Sequence, residues 1–168
     1  MVVLGNAPTW PGAGAARGNV YLPIIANQVD PVTEFVDMLK ADPRQQRPVL
    51  ETCPCLAKAA LWRATGLANG EPWDHKDSKG RRPNGLARSY GCTLPAAYAD
   101  DANYIESLTA GTADPMVAFT SLANSPMHRI HLFGENEFYR VQTRVGVAMA
   151  EKEGTDYRYY WVVWIAAE

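Results

Sequence analysis

Basic charge is what this sequence most plainly lacks. Its 16 Lys and Arg are outnumbered by 18 Asp and Glu, for a formal net charge of -2. A nucleic-acid binder needs a basic face to neutralise phosphates, so the composition argues against that class. Long apolar runs are missing too. None approaches the roughly 20 residues of a membrane span, so no transmembrane segment is expected. The N-terminus shows no basic region followed by an apolar core, so no signal peptide is visible, and export would require that a leader had been removed.

Histidine is scarce, at three residues: His75, His128 and His131. Cysteine is equally scarce, and Cys53, Cys55 and Cys92 leave one odd. The Cys53-Pro54-Cys55 spacing is too short for a zinc ribbon. A bridge from Cys53 or Cys55 to Cys92 would staple the start of a helix to the end of a loop. The alternative is three reduced, partly buried thiols.

What is present suits one domain with a sizeable core: 168 residues, 47% hydrophobic and 20% charged. Residues 1–30 form an expected N-terminal extension, partly mobile, with a Gly, Ala and Pro-rich lead. Within it, residues 19–26 are apolar but carry Pro23, which confines them to an edge strand or a docked arm. The folded domain is expected over 31–168. Val32, Phe35, Val36 and Leu39 share one stripe and predict a helix over Pro31–Ala41. The strongest helical pattern covers 53–69, with Thr52 as candidate N-cap and Asn69-Gly70 as its stop. A polar, Gly- and Pro-rich loop follows over 73–92, with a short helical turn near 86–90. Residues 94–102 read as helix or compact turn and 103–108 as a short strand. Pro115–Asn124 reads as another helix, and 127–133 as one more turn. The C-terminus reads as a β-hairpin, 138–150 against 157–166. Its second strand is apolar on both faces and must be central. Helices before such a hairpin imply an α+β fold, a three-layer α/β/α sandwich around a mainly antiparallel sheet.

Several motifs then fall in a recognisable order. His75-x-Asp77-x-x-Gly80-x-x-Pro83 is followed by Gly91. Ile105-Glu106-Ser107-Leu108 comes next, then Ser125-Pro126-Met127-His128-Arg129, Val145-Gly146-Val147 and Tyr160-Trp161. Together they resemble the bacterial SCP branch of the CAP superfamily (cysteine-rich secretory proteins, antigen 5, pathogenesis-related 1), over about residues 33–166. Departures are visible. Leu86 stands where the family often has Arg, Leu122 where it often has Trp, and Ser107 where it has Asn. Nothing acidic lies between Asp114 and Glu135, so the family's two-His, two-Glu set is matched only by His75, Glu106 and His128.

The resemblance implies a secreted or surface-associated protein with those three residues lining one cleft. Two imidazoles and a carboxylate suit a divalent cation such as zinc, with His75 and His128 as ligands. The competing reading has both histidines hydrogen-bonded to Glu106, fixing two loops. A metal-dependent hydrolase with Glu106 as base is the catalytic alternative. A structural module of a cell-envelope assembly is a third. The missing second acid favours a binding site over a catalytic one, with a small molecule, lipid or envelope component as partner. His131 reads as structural, although its three-residue offset from His128 would also suit a second ligand.

Overall fold

In a computed structural model, residues 29–167 are described. The expected arm at 19–26, and nearly all of the extension, lie outside them. Helix α1 spans Pro31–Ala41, as its apolar stripe predicts. The Asp30 carboxylate accepts from Thr33 N–H at 3.0 Å, and Pro31 takes the first turn, where its missing N–H costs nothing. A two-residue strand, β1 (Glu51–Thr52), precedes the long helix α2 (Pro54–Ala68). Thr52 therefore belongs to the sheet, and Cys53 is the N-cap of α2, without a side-chain cap bond. Helix α3 covers Pro83–Ser89 inside the polar loop. Strand β2 (Glu106–Ala110) begins later than the periodicity suggests and runs two residues further. Residues 94–102 are turns.

Helix α4 (Pro115–Asn124) is capped by Asp114, whose carboxylate takes the Met116 N–H at 2.8 Å. Helix α5 (Pro126–Phe133) follows directly and stops at Gly134, which sits at φ 65° as a left-handed C-cap. The hairpin is shorter than expected at its start. Residues Glu137–Arg140 form a helical turn, α6, capped by Asn136, and β3 begins only at Arg144. Strand β3 (Arg144–Glu151) pairs antiparallel with β4 (Tyr159–Ala166).

The four strands lie in the order β1-β3-β4-β2, antiparallel except for the short β1–β3 pair. Strand β4 is central, and its two faces feed two separate cores. Tyr160, Val162, Trp164 and Ala166 pack with the apolar face of α2 and with Leu86 and Ala87 of α3. Trp161, Val163 and Ile165 pack with residues of α1, α4 and α5. The molecule is thus the three-layer α/β/α sandwich that the sequence implies. On the α2 side, β3 presents Gly146, Ala148 and Ala150 after Arg144 at its start. A Cβ on Gly146 would lie 2.2 Å from the backbone of Leu56 and Ala57, so the first turn of α2 rests directly on the strand. Among the described residues, no helix is long and apolar enough to cross a membrane.

Cys55 and Cys92 form a disulfide, with Cα atoms 5.6 Å apart, and Cys53 is free. The open choice in the sequence is resolved: the second residue of α2 is tied to the end of the polar loop.

Candidate functional site

Glu106 opens the edge strand β2, and its side chain is fully buried. A carboxylate without water must be satisfied by protein donors. Three supply it. His75 Nδ1 lies 2.9 Å from Oε1, while Trp164 Nε1 donates to Oε2 at 3.0 Å and Arg63 Nε donates to it at 3.3 Å. Asn103 fixes the backbone of Glu106 as well, its Oδ1 accepting from the Glu106 N–H at 2.9 Å and its Nδ2 donating to the Glu106 carbonyl at 3.1 Å.

Arg63 does more than neutralise that charge. It sits on the buried face of α2, and its Nη2 donates to the carbonyls of Asp74 and Lys76, the residues on either side of His75. One buried guanidinium thus holds both the carboxylate and the loop that carries the imidazole. Asp77 builds the rest of the loop. Its Oδ1 accepts from Lys79 N–H at 3.0 Å and Arg81 N–H at 2.8 Å, and its Oδ2 takes Arg81 Nε at 2.7 Å. Burial acts most strongly on Asp77 and pushes its pKa up, but these bonds together outweigh it and hold the carboxyl below its usual range. Asp77 is a loop-former rather than a second cleft acid.

His128 lies on α5. Its Nδ1 is 2.8 Å from Ser125 Oγ, so it is anchored to its own helix terminus and not to Glu106. Burial, and then the proximity of His75, lower its pKa. His75 and His128 are therefore electrostatic neighbours, brought from opposite layers of the sandwich, while only His75 bonds the carboxylate. The expectation that both rings bond Glu106 is corrected: a hydroxyl three residues away offers His128 a nearer partner.

His131 faces inward. Its Nδ1 meets Ser107 Oγ at 2.8 Å and its Nε2 meets the Ile165 carbonyl at 3.4 Å, so it is structural. Arg63 and Trp164 are the residues the sequence reading missed. The available signal was a charged residue, Arg63, on the same stripe as Ala60, Ala64 and Leu67.

The donor set can be tested against a cation. Glu106 is fully buried, with protein donors on both oxygens and a guanidinium beside it, so it is a poor ligand. Once Nδ1 is bound, His75 and His128 each have only Nε2 left. Two nitrogens fall short of the three or four protein ligands that hold zinc. Among the described residues, no group of three or more His, Cys, Asp or Glu could hold a metal ion. These residues do not fit a resident metal. The same bonds remove Glu106 as a mobile general base.

No family model matches the chain, and no curated protein matches it. Solved structures do. An outer surface protein from Borrelia burgdorferi superposes with a TM-score of 0.61 at 19% identity, covering 86% of this chain and 96% of that one. An extracellular protein containing an SCP domain, from Bacillus anthracis, superposes with a TM-score of 0.61 at 17% identity, covering 81% of this chain and 40% of that one. The fold is therefore that of an SCP, or CAP-like, domain. At these identities the likeness extends to the fold alone.

Proposed function

We propose that this domain acts outside the cell or at its surface and binds a small ligand, or a partner's polar group, in the cleft between the His75 loop and α5, without chemistry on it. The observation that carries the reading is the locked pair His75–Glu106. A carboxylate only accepts, so His75 Nδ1–H donates to Glu106 and Nε2 is the ring nitrogen left facing the cleft. The His75 side chain is 35% exposed, so that nitrogen sits on a preorganised wall within reach of solvent. His128, half-buried and with its pKa lowered chiefly by burial, forms the opposing side. Such a site suits a polar group that hydrogen-bonds an imidazole nitrogen, a hydroxyl or an amine. The disulfide supports an oxidising location, as do the outer-surface and extracellular proteins that share the fold.

The test is a saturation-transfer NMR screen of small hydroxyl- and amine-bearing compounds. Hits should be lost in His75→Ala and in His128→Ala, and kept in Lys79→Ala at the exposed loop tip. Hits that bind all three variants equally would overturn the reading. Loss of stability without any ligand would favour a purely structural latch.

A further inference from the structure

At the far end of the sheet from Glu106, a cavity of about 290 Å³ opens between the C-terminus of α2 and the β3–β4 turn. Tyr160, in its wall, lies four residues along β4 from Trp164, or about 13 Å at the strand rise, so the cavity stands away from Glu106 although Trp73 belongs to the loop that carries His75. Three aromatic rings meet there. Trp73 and Tyr157 have centroids 5.3 Å apart at 43°, Trp73 and Tyr160 6.1 Å at 62°, and Tyr157 and Tyr160 6.0 Å at 84°. Rings set at steep mutual angles make a corner rather than a flat stacking platform. Trp73 and Tyr157 keep 44% and 43% of their surface exposed, so ring surface at the corner is open to solvent.

Charge gives the corner a sign. Glu71 and Asp156 line the cavity, and its lining contains no Lys, Arg or His. Nearby cations are engaged elsewhere: Arg158 pairs with Glu151 and Glu153, and Lys152 donates to Asn69. The Glu71 carboxylate is held in place by the Ser78 hydroxyl at 2.9 Å and by the Ser78 N–H. The turn is closed by the Lys152 N–H on the Arg158 carbonyl at 2.8 Å, which fixes Tyr157 over Trp73.

We infer that this aromatic corner, rimmed by Glu71 and Asp156, is a binding site for a small organic cation of the quaternary ammonium type. A ring face attracts a cation through its quadrupole, and an onium head is weakly hydrated and fills an apolar corner without demanding hydrogen bonds. Carboxylates at the rim add attraction and repel anions. The site stands independently of the His75 cleft proposal.

Choline is the probe, titrated into the whole chain while the Trp73 indole resonance is followed by NMR. Its neutral isostere 3,3-dimethylbutan-1-ol and glucose serve as controls. Choline should give saturable shifts confined to Trp73, Tyr157 and Tyr160, with the isostere about tenfold weaker. Trp73→Ala should weaken choline about tenfold and Trp73→Phe less. Asp156→Asn, on an exposed turn, should weaken it severalfold and serves as the deciding variant if Trp73→Ala does not fold. The inference fails if choline gives no saturable shift, if the isostere or glucose binds as tightly, or if Asp156→Asn and the folded Trp73 variants retain wild-type affinity.

Discussion

His131 has both ring nitrogens engaged inside the fold, and its chemistry sets a pH dependence. Nε2 donates to the Ile165 carbonyl, so Nδ1 must accept from Ser107, which fixes the neutral tautomer. Burial first, and then the neighbouring Arg47 guanidinium, push its pKa down from 6.5 to about 3. The unfolded chain takes up a proton below about pH 6.5 that the folded chain refuses until about pH 3. The unfolded state thus binds more protons across that window, and stability falls as pH falls, by at most ~1.4 kcal/mol per pH unit. Urea midpoints measured from pH 7 to pH 4 should drop steeply for the wild type and more gently for His131→Gln, which keeps a donor and an acceptor. Parallel slopes would refute the assignment. The His75–Glu106 contact was legible at this scale because a scarce histidine and the acid at a strand start stand in motif order. Arg63 and Trp164 were not, because an arginine in an alanine-rich helix and a tryptophan in an apolar strand look like surface and core. Only the fold shows that both end on one carboxylate.

Among the elements, the contact of α2 with β3 depends on a missing side chain. At Gly146 the helix backbone occupies the space a Cβ would need, and backbone cannot swing aside. Gly146→Ala should cost ~3 kcal/mol or more, by overpacking and separation of the layers. Thermal unfolding would show it, with Ala148→Gly as a milder control that only removes a methyl group. The sequence marked this strand through the alternation of Val145, Val147 and Met149 with small residues, although it could not say that the small face receives a helix. Helices α1 and α4 were readable because Asp-Pro pairs start them and apolar stripes follow. Residues 138–143 misled because Val141 and Thr143 continue the alternation of Val145, Val147 and Met149. Asn136, which caps Tyr139 N–H at 2.9 Å, turns them into α6 instead. Cys53 and Cys55 were equivalent by spacing alone. They are separated by their places on α2, as N-cap and second helical residue.

For the whole molecule, the Cys55–Cys92 bond closes a stretch of chain with a sequence separation of 37. In the chain-entropy view, a closure of that length stabilises the fold by up to ~4 kcal/mol. We expect the Cys55→Ala/Cys92→Ala double variant to lose ~2–4 kcal/mol in urea unfolding, while Cys53→Ser leaves the midpoint close to that of the wild type. Equal losses in both would mean that the bridge shown is not the one that matters. The closed stretch contains most of α2, the His75 loop and α3, which make up nearly all of one outer layer. Lys79 and Gly80 lie exposed at the tip of that loop. A trypsin-like protease cutting after Lys79 would sever the backbone there. The amino-terminal and carboxyl-terminal pieces would still be one covalent body, joined through the sulfur bridge that flanks the cut on both sides. The chain can therefore be nicked at this exposed loop without shedding a fragment.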